Sequence, residues 1–242
     1  MCAVYSYYMG TLFCVSTPIG NLDDITLRAK TILLQAPVIV CEDTKRTSLL
    51  VHTYEERGHT EPVHHTFIRY DRFTESKRNP ELLEMLENGR DIVLCSDAGT
   101  PVLSDPGYML VALCRKKNIP IVVVPGASAL LAALVASGLP TTPLLFYGFP
   151  PEKPSNRTRL LTSLRQMTIA NPDLHPTVVF YISPYELEKF LTLLASIIGN
   201  IDITVARELT KVHEEVVSGP VLDMISKFSH PKGEFVLLFS LK

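Results

Sequence analysis

The sequence predicts an α/β protein of two domains, and three observations carry the prediction. Short apolar runs alternate with amphipathic stretches from Thr11 onward, the pattern of βαβ units around a mainly parallel sheet. The alternation lapses at "PPEKPSNR", whose three prolines and polar residues make the strongest linker candidate. A second alternating set follows, with more scope for antiparallel pairing. The 242 residues, 46% of them hydrophobic, are enough for one or two cores. The expected layout is an N-terminal α/β domain over 11–146, a linker at 147–156 and a C-terminal α/β domain over 157–242.

Each element has a local reason. "TLFCVST" reads as a strand. In "DITLRAKTILLQA" the residues Ile25, Leu27, Ile32 and Leu33 follow helical spacing behind acidic residues suited to a helix N-terminus, and Pro37 stops the helix. "VIVCED" and "DIVLCSD" are strand patterns separated by the helix "ELLEMLENG". "GYMLVALCRKKN" is a helix with three cations at its C-terminus, Asn118 as cap and Pro120 beyond. Pro125 and Gly126 split the most apolar segment into the strand "IPIVVVPG" and the helix "SALLAALVASG", which argues against a membrane span. After "LLFYGF" and the linker come helix "RTRLLTSLRQM", strand "TVVFYIS", helix "PYELEKFLTLLASIIGN", strand "DITVAREL", helix "GPVLDMISKFS" and strand "GEFVLLFSL".

Composition removes several function classes. The formal charge of −2 provides no global basic field, so a polyanion partner requires a local patch. Cys2, Cys14, Cys41, Cys95 and Cys114 include no CxxC and fit reduced thiols in a cytoplasmic protein. The start "MCAVYSYYMG" lacks a basic n-region, and residues 1–8 read as an extension ahead of a second start at Met9. The histidines lack metal-ligand spacing, so no metal is expected. There is no G-x-G-x-x-G, no P-loop and no G-x-S-x-G, so Ser128 is read as a hydrogen-bonding loop serine.

Ligands of open α/β sheets bind outside the carboxyl ends of the parallel strands. Four strand-following loops are rich in Gly, Pro and small polar residues: "STPIGN", "CEDTKRT", "CSDAGTPVLSDPG" and "VPGAS". Singly each reads as a turn; four in consecutive units read as one preorganised rim. "CEDTKRT" offers Glu42 and Asp43 as proton acceptors beside Lys45 and Arg46, although charges of this kind also line solvated helix starts. "VARELTKVHEE" is similarly dense in charge, with Arg207, Glu208 and Lys211 near the strand end and Glu214 and Glu215 read as a solvated face. Two groups of cations, Lys153, Arg157, Arg159 and Arg165, and Arg69, Arg72, Lys77 and Arg78, read equally as solvated helix ends or as an RNA patch.

Taken in order, "VSTPIGNLDDITLRA", "CEDTKRT", "SDAGTPVLSDPG", "VPGASALLAALVASGLPT", "GFPP", "ARELTKVHEE" and "KGEFVLL" resemble the ribosomal RNA small-subunit methyltransferase I family of the tetrapyrrole methylase superfamily, from about Thr11 to Leu241. The resemblance implies a two-domain class III methyltransferase fold, each domain an α/β sandwich with a central mixed sheet. It also implies S-adenosylmethionine in a cleft between the domains, a homodimer, and 2′-O-methylation of a cytidine in the decoding region of 16S rRNA. By position, Pro18, Ile19, Gly99, Thr100, Pro101, Leu103, Ser104, Ser128 and Ala129 would hold the cofactor from the first domain. Tyr181, Ile182, Ala206, Arg207, Gly233 and Glu234 would close over the adenosine from the second. Lys45, Arg46, Arg72, Arg157 and Arg159 are the RNA-binding candidates.

Three features depart from the family pattern. "YDRFTES" keeps Glu75 but has Asp71 and Thr74 where the family has His and Asn; "YIS" places Ile182 where a carboxylate is usual; and a small helical C-terminal extension is lacking. A ribose hydroxyl needs help to lose its proton, so Glu42 or Asp43 is nominated as acceptor, then Glu75, with Lys211 as electrostatic partner. Asp97 and Asp105 are expected to shape their loop rather than form an acid pair. The competing readings are an enzyme of this fold acting on a corrinoid or tetrapyrrole, and a non-catalytic RNA-binding assembly factor.

Overall fold

The computed structural model describes residues 9–58 and 63–241, so the expected extension at 1–8, with Cys2, lies outside the described residues. The chain divides between Ser128 and Ala129 into two compact units.

The first unit is built on β1 (Leu12–Val15), β2 (Val38–Cys41), β3 (Thr66–Arg69), β4 (Ile92–Cys95) and β5 (Ile121–Val124), in the order β3-β2-β4-β1-β5. Every pairing in it is parallel, so the mixed sheet expected of both domains is found only in the second. β2 and β4 are buried along their whole length, as suits parallel strands covered on both faces. Two apolar clusters fill those faces, one around Leu12, Val40, Leu82 and Leu94, the other around Val15, Leu33, Ile39 and Val93.

Helix α1 (Leu27–Gln35) is capped by Thr26, whose hydroxyl accepts the Ala29 N–H at 3.1 Å; Asp23 and Asp24 lie in a 3-10 turn before it. The sequence pattern singled out neither α2 (Thr44–Gly58) nor β3, because α2 buries only Thr47, Val51 and Tyr54 and β3 is an edge strand. α4 (Tyr108–Lys116) falls where expected and Asn118 follows it with φ +57°, whereas α3 (Glu75–Glu87) starts six residues before the expected "ELLEMLENG" and runs through Pro80.

The second unit begins with α5 (Ala129–Ser137), which packs on β8 (Asp202–Arg207), β9 (Glu215–Pro220) and β10 (Phe235–Ser240). Its sheet runs β6-β7-β10-β8-β9, with β6 (Leu144–Gly148) and β7 (Thr177–Ile182) parallel and the remaining pairs antiparallel. The unit boundary therefore precedes the expected linker. Residues 147–148 belong to β6 and Pro154 opens α6 (Pro154–Ala170), which leaves only a short turn of the stretch at 147–156. α7 (Pro184–Ile197) and α8 (Val221–Lys227) complete the unit, packed with the sheet around Phe180, Phe190, Leu237 and Phe239. β9 escapes sequence reading because "EVVSGP" looks like a turn; it is an edge strand, where a terminal Pro is tolerated.

Among the described residues, no helix is long and apolar enough to cross a membrane, and no group of three or more His, Cys, Asp or Glu could hold a metal ion.

Candidate active site

β1 and β4 lie side by side at the centre of the first sheet, and their connections leave in opposite directions, to β2 and to β5. That switch point is where a crevice opens at the carboxyl ends of parallel strands. Hydrogen bonds lace the three loops there into one body. Thr17 and Gly99 exchange backbone hydrogen bonds of 2.9 and 3.1 Å, and the Thr17 hydroxyl donates to the Ser96 carbonyl at 3.1 Å. The Ser16 hydroxyl reaches Thr100 Oγ1 at 3.3 Å, and Thr100 donates to the Ala127 carbonyl at 3.2 Å. Gly99 has φ +84°, and a Cβ there would lie 3.2 Å from Ile19 Cγ2. Gly126 runs so close to Ser16 that a Cβ would come within 2.9 Å of the serine Cβ. Small residues and glycines thus bring together, within this unit, Pro18, Ile19, Gly99, Thr100, Pro101 and Ser128.

The same end of the sheet carries carboxylates. Asp97 accepts the Asp43 N–H at 3.0 Å and pairs with Arg46 at 3.3 Å, so it ties the β4 loop to the start of α2. Burial, then Asp97 and Asp71, push the Glu42 carboxyl up, against the opposing pull of Arg72 and Arg46. Asp105 responds most: burial first, then Glu42 and Asp97, push its carboxyl up to about 7, although Ser96 hydrogen-bonds to it. The loop that presents it holds Val102 at φ +73° and Ser104 at φ +70°, left-handed conformations that cost a non-glycine residue energy. Asp97 has the loop-shaping role expected of it, whereas Asp105 faces an acidic neighbourhood that no local pattern reveals. Its partner Glu42 lies on a different strand end, and the only signal in the sequence was its place in a strand-following loop.

The other nominated acids stand differently. Asp43 caps α2, accepting the Arg46 and Lys45 N–H groups at 3.2 and 2.9 Å, and these bonds hold its carboxyl below the usual range. Glu75 opens α3 directly after a turn built from the two residues that depart from the family pattern. Asp71 Oδ1 accepts the Phe73 and Thr74 N–H groups at 2.9 Å and the Thr74 hydroxyl at 3.0 Å, and Asp71 Oδ2 pairs with Arg69. Burial pushes Asp71 up, but these bonds outweigh it and hold the carboxyl low. Cys14, Cys41 and Cys114 are buried thiols pushed up to about 11, chiefly by desolvation, so they are poor nucleophiles.

In the second unit, Lys211 Nζ sits 2.9 Å from Glu208 Oε1 and 2.8 Å from Glu234 Oε2, and Glu208 also accepts the Glu234 N–H at 2.9 Å. Gly233 (φ +100°) makes room for this clamp, since a Cβ would lie 2.6 Å from Glu208 Cγ. Desolvation pulls Lys211 down, but Glu234 and Glu208 outweigh it, so the ammonium is committed to holding two loops together. Arg207 donates to the Lys232 carbonyl at 2.7 Å and faces Glu215 at 3.8 Å; Glu215 also pairs with Lys227, so it is no bare solvated residue. The Tyr181 hydroxyl accepts the Leu130 N–H at 3.2 Å. The Ile182 and Ala206 side chains are buried, Ile182 within the apolar core, so neither presents a side chain to a site. Arg157 is spoken for by Glu186 and the Pro151 and Glu152 carbonyls, whereas Arg159 is exposed. Lys45 is exposed at the start of α2, and Arg72 lies 4.7 Å over the Phe73 ring.

Comparison with known proteins agrees with this geometry. The profile of the Tetrapyrrole (Corrin/Porphyrin) Methylases matches residues 11–224. The Ribosomal RNA small subunit methyltransferase I of Thermotoga maritima is 39% identical over 97% of this chain and 100% of its own length. That of Synechocystis is 42% identical over 96% of this chain and 79% of its own. Among solved structures, the methyltransferase CobJ superposes with a TM-score of 0.67 at 22% identity, covering 96% of this chain and 95% of that one. Uroporphyrin-III C-methyl transferase from Thermus thermophilus, in complex with S-adenyl homocysteine, does so with 0.62 at 18% identity, covering 95% and 97%. A parallel sheet with a laced switch-point rim, a mixed second sheet and matches of this length place the chain in the tetrapyrrole methylase family, and within it in the ribosomal RNA small subunit methyltransferase I branch.

Proposed function

We infer that this chain transfers a methyl group from S-adenosylmethionine to the 2′-hydroxyl of a cytidine in the decoding region of 16S rRNA. The observation that carries the reading is similarity over nearly all of this chain to relatives named as ribosomal RNA small subunit methyltransferase I, 35–42% identical across several bacteria. The oligomer is a homodimer and the setting cytoplasmic in this reading, in keeping with buried, unpaired cysteines.

The residues present fit the cofactor. Gly99, Thr100, Pro101, Ser128 and Ile19 offer close backbone approach and hydroxyl groups, and the Glu42, Asp97 and Asp105 carboxylates complement a ligand bearing sulfonium and ammonium charges. Bound, it supplies an electrophilic methyl carbon. What remains for the protein is to position a ribose oxygen and take its proton. Of the acids on this rim, Asp43 is committed to capping, so Glu42 and Asp105 are the acceptors, Asp105 with a carboxyl matched to neutral pH. Arg46, Lys45 and Arg72 at the same strand ends supply charge for an RNA backbone. In the second unit Tyr181, Arg207, Gly233 and Glu234 are the positions proposed to contact the adenosine.

The test is a tritiated-methyl assay on unmodified 30S subunits beside a tetrapyrrole. Incorporation into the RNA alone is expected, at a ribose. Incorporation into the macrocycle alone would overturn the substrate, and S-adenosylmethionine binding without transfer to either would leave an assembly factor.

A further inference from the structure

On the second unit, a pocket of about 400 Å³ is lined by Tyr147, Phe149, Asn156, Arg159, Leu160 and Ser163. β6 is the edge strand of its sheet, and its register against β7 shifts between Phe146 and Gly148, leaving Tyr147 as an extra residue. A bulge of this kind re-aims a side chain. The Tyr147 ring stacks on Phe180 (5.3 Å, 16°) and the Phe149 ring meets Tyr181 edge-on (5.7 Å), so both rings are held while 42% and 58% of each residue stays exposed.

The facing helix, α6, has three arginines and no acid in its 17 residues, in a chain whose formal charge is −2. Two of those arginines serve the fold: Arg157 holds Glu186, and Arg165 donates to the Ile197 carbonyl at 3.0 Å. Arg159 instead lines the pocket, with only a long 3.4 Å contact to Asn156 Oδ1. Ring faces beside an amide, a hydroxyl and a guanidinium are the chemistry that takes an unpaired nucleobase and its phosphate. A purely apolar partner would leave those three polar groups without matching donors and acceptors, and the basic helix selects a polyanion.

We propose that this pocket receives a single unpaired base of the RNA substrate, stacked against Phe149 and Tyr147 with its phosphate at Arg159. The proposal rests on the RNA reading above and adds a docking subsite on the second unit. The sequence contains no tryptophan, so Phe149→Trp installs a lone reporter at an exposed position. Its emission is expected to be quenched by single-stranded 16S rRNA fragments and not by the same sequence as a duplex. Phe149→Ala and Arg159→Ala are each expected to raise the KM for 30S subunits about ten-fold, with kcat within two-fold and S-adenosylmethionine affinity unchanged, and Arg159→Lys to recover part of the loss. No quenching together with unchanged KM overturns the proposal, as does equal quenching by duplex. A shift of Phe149→Ala from dimer to monomer in sedimentation would assign the pocket to a second copy of the chain and overturn it too. If the unaltered chain transfers no methyl group to 30S subunits, the activity reading fails while the tryptophan titration still decides the pocket.

Discussion

Two stretches look alike in sequence, "CEDTKRT" and "ARELTK": each follows an apolar strand with acids and cations close together. Folded, they behave oppositely. At the first, Glu42 meets Asp97 and, through the β4 loop, Asp105, so carboxylates crowd one another and their protons are held tightly. At the second, Glu208 and Glu234 each have Lys211 within 3 Å, so one ammonium is shared by two carboxylates and holds both. Carboxylates that repel remain able to exchange a proton near neutral pH, whereas carboxylates that are paired serve to fix loops.

The sharpest way to break this contrast is to remove the crowded proton acceptor. Asp105→Asn is expected to lower single-turnover methyl transfer by about 10²–10⁴-fold, the range for losing a general base, and to change cofactor affinity by calorimetry far less, since Glu42 and Asp97 remain. A rate within two-fold of the parent would reduce the rim to loop architecture, as at the lysine clamp.

The glycines sharpen it next. Gly99 and Gly233 both have positive φ, so alanine at either costs about 1–2 kcal/mol of backbone strain. Gly99→Ala is expected to weaken S-adenosylmethionine binding about ten-fold, that strain converted at 1.4 kcal/mol per decade. Gly233→Ala instead drives a Cβ into Glu208 and is expected to show chiefly in the thermal midpoint, with a smaller loss of cofactor affinity than at Gly99. Equal binding losses in both would show that the clamp shapes the cofactor site as strongly as the rim does. Smaller again, Lys211→Met is expected to cost about 1 kcal/mol, roughly 2–4 °C in midpoint for a chain of this size, and to leave the rate within two-fold.

How far the sequence reveals these differences follows from the range of the interactions. The laced loops were legible because Gly, Pro and Ser write their backbone geometry locally: Gly99, Pro101 and Gly126 mark the rim without knowledge of any partner. The strand alternation was legible for the same reason, apart from β3 and β9, edge strands with weak apolar patterns. The fates of the charges were not. Asp97 meets Asp43 across 54 residues and Glu208 meets Glu234 across 26, so whether a carboxylate is crowded or paired is settled by strand order. Asp71 and Thr74, which departed from the family pattern, bond to each other in the turn before α3.

The smallest effects are the most discriminating, because the two regions respond to pH with opposite sign. Desolvation pushes Glu208 up, but Lys211 and the Glu234 N–H outweigh it and hold the carboxyl below its ordinary value. The clamp therefore contributes stability above the unfolded carboxylate pKa and loses it as pH falls through the lower, folded one. Asp105 is raised from 3.8 to about 7, so its contribution is complete below the unfolded value and is lost as pH rises through the folded one. Asp105→Asn is accordingly expected to gain thermal midpoint relative to the parent at pH 8 and to show no such gain at pH 4, whereas the deficit of Lys211→Met should be full at pH 8 and shrink under acid. Glu42 is one of the charges that raise Asp105, so Glu42→Gln should move the acid limb of the methylation rate to lower pH by less than about one unit. A limb that stays in place in Glu42→Gln and disappears in Asp105→Asn would leave Asp105 as the acceptor but transfer the cause of its raised carboxyl from Glu42 to burial and Asp97.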